Sequence, residues 1–258
     1  MRGEKLPAEH AHALRERGYT VFESVYDEAE VKILGGTMDR LHQEAGRPAC
    51  YSREPKRITP EIELCPTGLV FYKFVKRCPE HADMIVRPQI VESIRDYMGD
   101  DVELELTGAV VADASRPFFA WHTHIGGIDD GKYRREGIWP RFDAPQRLSS
   151  LLYVDDIEED NGPLLVYPRR VADPTEPPHD PYAYDWPGAD VVEVPRGSVV
   201  LMDQCTWHAV RAKRTPGIRS FIGCYYRTAM APPTEWIDES LRDFSGGSPL
   251  FRSLLPRR

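Results

Sequence analysis

The segment LSSLLYVDDIEEDNGPLLV, residues 148–166, decides how the chain folds. Leu148–Val154 is a short run rich in Leu, Tyr and Val, and Gly162–Val166 is a second one. Between them lies an acidic stretch that ends in Asn161-Gly162. That dipeptide accepts positive φ at little cost and marks a tight turn. The pattern repeats on either side. Val102–Val111, Val191–Val194, Ser198–Met202 and Arg219–Tyr226 are further β-prone runs, separated by Pro187-Gly188, Pro195-Arg196-Gly197 and Pro216-Gly217. Many short strands punctuated in this way predict a sandwich or barrel.

The front of the chain reads differently. Pro7 to Arg17 is a predicted helix that carries Leu14 and stops at Gly18, a residue suited to a left-handed cap. Tyr19 to Val25 reads as a strand. Asp27 opens a second helix with Val31, Leu34, Met38 and Leu41 at helical spacing. Residues 47–66 are Pro-rich and read as irregular. Pro79 to Tyr97 reads as one more helix, ended by Gly99. The expected class is α+β, with helices packed outside a β-barrel or sandwich. No internal repeat or linker divides the chain. One unit is expected over 1–258, with a helical part to about 98, a β core over about 99–230 and a tail over about 231–258.

Composition narrows the function. The 258 residues are 41% hydrophobic and 29% charged, which is ordinary for a globular protein and argues against disorder. A formal net charge of -8, without a run of five basic residues, argues against a nucleic-acid partner. No apolar stretch approaches the eighteen residues that suggest a membrane span, and Met1 to Lys5 lacks the apolar core of a secretory signal. Cys50, Cys65, Cys78, Cys205 and Cys224 form no C-x-x-C pair. Reduced thiols in a cytoplasmic protein are therefore expected, without structural zinc.

Two of the chain's histidine clusters stand in β-prone surroundings: Trp121-His122-Thr123-His124 and Thr206-Trp207-His208. Alternate residues of an extended segment share a face, so His122 and His124 can reach one metal, with His208 as the third ligand at the end of an apolar strand. Such a set leaves coordination positions open, as non-haem iron chemistry requires. The bland reading is an H-x-H pair in a polar loop with its hydrogen bonds satisfied. On the residues alone, both readings stand.

Over most of its length the chain resembles the phytanoyl-CoA dioxygenase family. The resemblance rests on Leu14 to Phe22 as an opening helix and strand, and on Trp121 to His124 at the family's W-H-x-D. It continues through Val154-Asp155-Asp156, then Asn161-Gly162-Pro163-Leu164 with Val166-Tyr167-Pro168. It closes on Pro195 to Leu201 leading to His208, with Arg219 eleven positions beyond. It implies a double-stranded β-helix, that is, a cupin-like jelly roll, with Fe(II) as metal and 2-oxoglutarate as cosubstrate. Oxidation of a small organic molecule by molecular oxygen, most simply hydroxylation, would follow. His122 and His208 carry over as iron ligands, and Arg219 as the partner of the far carboxylate of 2-oxoglutarate. A planar guanidinium suits that carboxylate. Arg214 is a weaker competitor.

The chain departs from the family pattern at two places. His124 replaces the usual carboxylate, leaving the site one negative charge short. Either three histidines hold the iron; or the motif is shifted to His124 with Gly126 vacant, as in iron halogenases; or Asp129 or Asp130 supplies a carboxylate. Val210 stands where a small hydroxyl residue often assists the cosubstrate, so Lys73, Tyr72 and Ser149 are candidate donors. The long segments Ile125–Gln146 and Pro168–Asp190 are expected to line the barrel mouth through Trp139, Arg141, Tyr167, Tyr182, Tyr184 or Trp186. A carbon–carbon-cleaving three-histidine dioxygenase without 2-oxoglutarate, or a barrel that binds without catalysing, are the alternatives.

Overall fold

Two helices lead into the sheets, and the chemistry of their ends fixes both. The computed structural model describes residues 6–127, 130–234 and 237–257. Helix α1 (Pro7–Arg17) starts on a proline and ends at Gly18, whose φ of 72° turns the chain into strand β1 (Tyr19–Phe22). Helix α2 (Glu28–Glu44) starts with a reciprocal cap. The Asp27 carboxylate accepts from the Glu30 N–H at 2.9 Å, and the Glu30 carboxylate accepts from the Asp27 N–H at 3.1 Å.

The region read as irregular instead folds as strands. β2 (Lys56–Thr59), β3 (Ile62–Cys65) and β4 (Gly68–Tyr72) form a meander joined to the main sheet. The helix expected over Pro79–Tyr97 is also shorter. After the short helix α3 (Phe74–Arg77), Pro79–His81 makes only a 3₁₀ turn, and α4 runs from Pro88 to Met98. Pro88 holds Arg87 in an extended conformation (φ −130°, ψ 141°), so no helix can run through it.

The remaining strands are β5 (Val102–Ala112), β6 (Phe119–His122), β7 (Arg147–Tyr153), β8 (Leu164–Val166), β9 (Asp190–Val192), β10 (Val199–Asp203), β11 (His208–Val210) and β12 (Arg219–Thr228). They make an eight-stranded sheet in the order β1-β10-β7-β12-β5-β4-β3-β2 and a four-stranded sheet in the order β6-β11-β8-β9. Every pairing is antiparallel. The two sheets form a jelly roll of the cupin-like, double-stranded β-helix kind, flanked by helices.

Strand parity separates the layers. Leu148 and Leu152 of β7, Val199 and Leu201 of β10, and Ile222, Cys224 and Tyr226 of β12 face the helices. There they meet Leu14, Leu34, Met38, Leu41 and Ile94. The intervening residues Leu151, Tyr153, Val200 and Met202 face the small sheet and pack on Leu164 and Val166. Arg219 has the inward parity of Phe221 and Tyr225, so one strand buries apolar residues on one face and offers a cation to the interior on the other. The outer face of the small sheet carries Trp121, Leu165 and Ala209 under Trp186 and Trp207. Among the described residues, no helix is long and apolar enough to cross a membrane.

Candidate metal centre and active site

The three predicted histidines converge. His122 ends β6 and His208 begins β11, and the two are directly paired across the strands. His208 thus opens a strand of the small sheet after the turn at Asp203–Trp207, rather than closing the apolar strand β10. His124 follows β6, its N–H donating to the Gln204 carbonyl at 2.8 Å. Ring centroids lie 4.1 Å apart for His122 and His208, and 5.1 Å from His124 to each of them. One nitrogen from each ring lies within 4.8 Å of the others.

Hydrogen bonds select the nitrogen that faces the cavity. The Nδ1–H of His122 donates to the Ala120 carbonyl at 2.8 Å, and that of His208 donates to the Thr206 carbonyl at 3.0 Å. Each bond leaves Nε2 as a lone-pair donor and fixes the ring orientation. Burial holds the His122 imidazole well below the usual pKa of 6.5, reinforced by the neighbouring His208 and His124. Burial, and then His124, depress His208 to about 3. Neutral imidazoles are the form that binds a metal. The donor set fits a divalent ion.

Among the described residues no carboxylate joins this group. Asp130 lines the cavity and forms an ion pair with Arg134 at 2.8 Å, whereas Asp129 lies outside the described residues. The shifted reading would make His124 the first ligand with Gly126 vacant; it is His122 that takes the ladder position opposite His208.

The sequence matches the family model for phytanoyl-CoA dioxygenase over residues 14–221. The chain belongs to the phytanoyl-CoA dioxygenase family. Solved structures with the same fold include HygX from Streptomyces hygroscopicus with nickel and 2-oxoglutarate bound (TM-score 0.60, 14% identity, 86% of each chain covered). The carbocyclase SnoK from nogalamycin biosynthesis is similar (TM-score 0.64, 18% identity, 96% of each chain). So is EctD from S. alaskensis with 2-oxoglutarate and 5-hydroxyectoine (TM-score 0.63, 16% identity, 91% of this chain and 81% of that one). No curated protein gives a significant match. For a phytanoyl-CoA dioxygenase family member the class of chemistry is non-haem iron oxidation with 2-oxoglutarate.

The histidines open onto a cavity of about 640 Å³ between the sheets. Arg219, only 3% exposed, lies on its wall with Nε and Nη2 unpartnered among the described residues. A buried guanidinium in no ion pair among the described residues calls for an anion. Ser149 and Tyr72 also line the cavity. Lys73 does not: it caps α3 and acts on Glu61 and Asp238. Arg214 pairs with Asp160 on the surface.

The predicted lid residues divide. Tyr182 reaches the cavity rim, 79% exposed. Trp139, Tyr167 and Trp186 pack with Trp121 and Trp207 on the outer face of the small sheet, Tyr184 packs against Phe118, and Arg141 is exposed. Much of the wall comes from the meander β2–β4, through Glu63, Cys65, Pro66, Val70 and Tyr72. The alternation Ile62-Glu63-Leu64 before the turn at Pro66-Thr67-Gly68 was the available signal. Arg116 was also missed, a lone arginine after an apolar strand with nothing around it to suggest a role.

Proposed function

We propose that His122, His124 and His208 hold one Fe(II), that Arg219 receives the far carboxylate of 2-oxoglutarate, and that the protein hydroxylates a medium-sized organic molecule. The observation that carries this reading is the convergence of three histidines, two of them oriented and held neutral by burial, with a buried guanidinium that has no ion-pair partner among the described residues, around one cavity. Iron bound there supplies the oxidative step, coupled to conversion of 2-oxoglutarate to succinate and carbon dioxide.

The chain's own groups do the rest. The carbonyls of Ala120 and Thr206 aim the two Nε2 atoms before metal arrives, so little reorganisation accompanies binding. Arg219 gives a fixed fork for one carboxylate, which orients the cosubstrate relative to the histidines. Leu106, Val110, Leu151, Leu164, Met202 and Phe221 line the cavity and keep water from the reacting region. This wall suits a substrate with a large apolar surface and few polar groups. Tailoring of a secondary metabolite fits it, as SnoK belongs to nogalamycin biosynthesis and a HygX structure holds hygromycin B. A three-histidine dioxygenase independent of 2-oxoglutarate would have no use for Arg219.

The test is anaerobic addition of Fe(II) and then 2-oxoglutarate to metal-free protein, read as a visible charge-transfer band. The band should form in wild type and be lost in His208→Ala and Arg219→Ala. Iron binding without the band would refute the cosubstrate assignment and favour the three-histidine dioxygenase.

A further inference from the structure

A second arginine shares the wall that holds Arg219. Arg116 sits in the turn after β5, its N–H donating to the Asp113 carbonyl at 3.1 Å, and its side chain is 1% exposed. Nη2 donates to the Arg211 carbonyl at 3.0 Å. Nε and Nη1 have no partner among the described residues, although both are buried. Gly162 makes room for this: a Cβ there would come within 3.3 Å of Arg116 Nη2 and 2.9 Å of the Arg211 carbonyl oxygen.

The two guanidiniums act on each other. Burial, and then the charge of Arg219, push Arg116 down to about 9. Tyr153 lies against the pair, its hydroxyl hydrogen-bonded to Arg219 and its ring 5.1 Å from that guanidinium. The nearby carboxylate of Asp155 is engaged by the Ser220 N–H at 2.7 Å and the Ser220 hydroxyl at 2.9 Å. Lys213 is turned to the carbonyls of Thr215 and Pro216. Two buried cations therefore stand together without an ion-pair partner among the described residues, an arrangement that is costly unless an anion completes it.

Donor count indicates which anion. Arg116 Nε and Nη1 and Arg219 Nε and Nη2 are four unpartnered nitrogens, and a carboxylate offers about four lone-pair sites on its two oxygens. We propose that Arg116 is a second arm of the cosubstrate clamp, so that the far carboxylate of 2-oxoglutarate is held between two arginines. The proposal rests on the role assigned to Arg219. It also accounts for the absence of a hydroxyl residue at Val210, since Arg116 supplies the second donor. A clamp with two positive charges selects dicarboxylic over monocarboxylic 2-oxo acids.

The test is binding, read by tryptophan fluorescence of the anaerobic Fe(II) protein. The ligands are 2-oxoglutarate and 2-oxopentanoate, which lacks the far carboxylate. Arg116→Met should weaken 2-oxoglutarate about 10- to 100-fold and leave 2-oxopentanoate unchanged, as expected when charge-assisted hydrogen bonds are lost. It should also raise the thermal midpoint of the ligand-free protein, because an uncompensated buried charge has gone. A purely structural arginine would instead lower the midpoint and weaken both ligands alike, which would overturn the proposal. If Arg219→Gln loses 2-oxoglutarate selectively while Arg116→Met does not, the second arm is refuted and Arg219 keeps its role. If neither variant discriminates, the Arg219 reading falls and this one with it. Arg116→Gln provides the same binding comparison should the methionine variant fail to fold.

Discussion

His122 and His208 face one another across the β6–β11 ladder, with ring centroids 4.1 Å apart. Main-chain pairing therefore sets their separation, before any metal is present. The bulge between His208 and Val210 lets β11 match His122 at one end and Phe119 at the other. His124 lies beyond the ladder, where its N–H donates to the Gln204 carbonyl and its carbonyl accepts from the Gly127 N–H, both at 2.8 Å. Two of the proposed ligands are thus fixed by a sheet and the third by a turn.

That asymmetry makes His124 the position for changing the metal without changing the fold. An imidazole binds a metal as a neutral ligand, so three of them leave a divalent ion's charge uncompensated. His124→Asp adds one negative charge where the family pattern has one. The variant should bind Fe(II) about tenfold more tightly, in the range that changes around a metal produce. Competition against a chelator of known affinity measures this. Equal or weaker binding would mean that the backbone after β6 is spaced for an imidazole only.

The family motifs were legible because each one is a local necessity. Gly18 needs positive φ, Gly162 leaves room for a side chain and a carbonyl, and His122 and Arg219 lie on strands whose parity can be counted. Leu14, Leu34, Met38 and Leu41 fall where helical spacing predicts. What escaped depended on tertiary contact. The 56–72 meander has few apolar residues on its outer strand, since Lys56–Thr59 is exposed throughout and only pairing with β3 makes it β. The aromatic residues of the long loops read as lids because their burial under the small sheet leaves no sequence period. Arg116 is set beside Arg219 by β12 pairing with β5, a long-range relation invisible in a list of residues.

The Arg147–Glu105 ion pair should be the costliest polar contact to break. Arg147 Nε meets Glu105 Oε2 at 2.8 Å and Nη2 meets Oε1 at 3.1 Å, with side chains only 4% and 1% exposed. Arg147→Met leaves the buried carboxylate without its cation, with the Thr234 N–H at 3.1 Å as its remaining partner, and should cost about 3–5 kcal/mol. The double variant with Glu105→Leu should recover most of this. Urea unfolding measures both. Gln204 links the pair to the proposed metal centre. Its N–H donates to the Arg147 carbonyl at 3.2 Å, and its carbonyl accepts from His124, so the single variant should also weaken iron binding.

His81 should make stability fall in mild acid. Its ring is 5% exposed, stacks on Phe74 and bonds to the Thr37 hydroxyl at 2.7 Å. Burial lowers its pKa below 6.5, against a weaker opposing pull from Glu80. Above pH about 6.5 both folded and unfolded states hold the ring neutral. Below it the unfolded chain takes up a proton that the native site resists, so stability falls as pH falls. The thermal midpoint should drop between pH 7.5 and 5.5, and less in His81→Gln. Equal drops in both proteins would exclude His81 as the source.

Gly18 joins the opening helix to the proposed metal centre, which makes it more than a helix stop. Its carbonyl accepts from the Asp203 N–H at 2.8 Å and the Thr206 hydroxyl at 3.2 Å, and the Thr206 carbonyl in turn orients the His208 ring. A Cβ on Gly18 would lie 2.2 Å from Thr206 Oγ1 and 3.2 Å from the Arg169 carbonyl oxygen, at a φ of 72° that disfavours side chains. Gly18→Ala should therefore destabilise by about 2 kcal/mol, from left-handed strain together with the displaced turn. Because that turn carries His208, iron affinity should fall as well. Gly36→Ala is the control: it sits in α2 with nothing within 4 Å and should stabilise by about 0.5–1 kcal/mol, with iron binding unchanged. Chemical unfolding and chelator competition on both variants separate the outcomes. If Gly18→Ala loses stability but keeps wild-type iron affinity, the helix end supports the fold alone and the His208 turn holds its geometry without it.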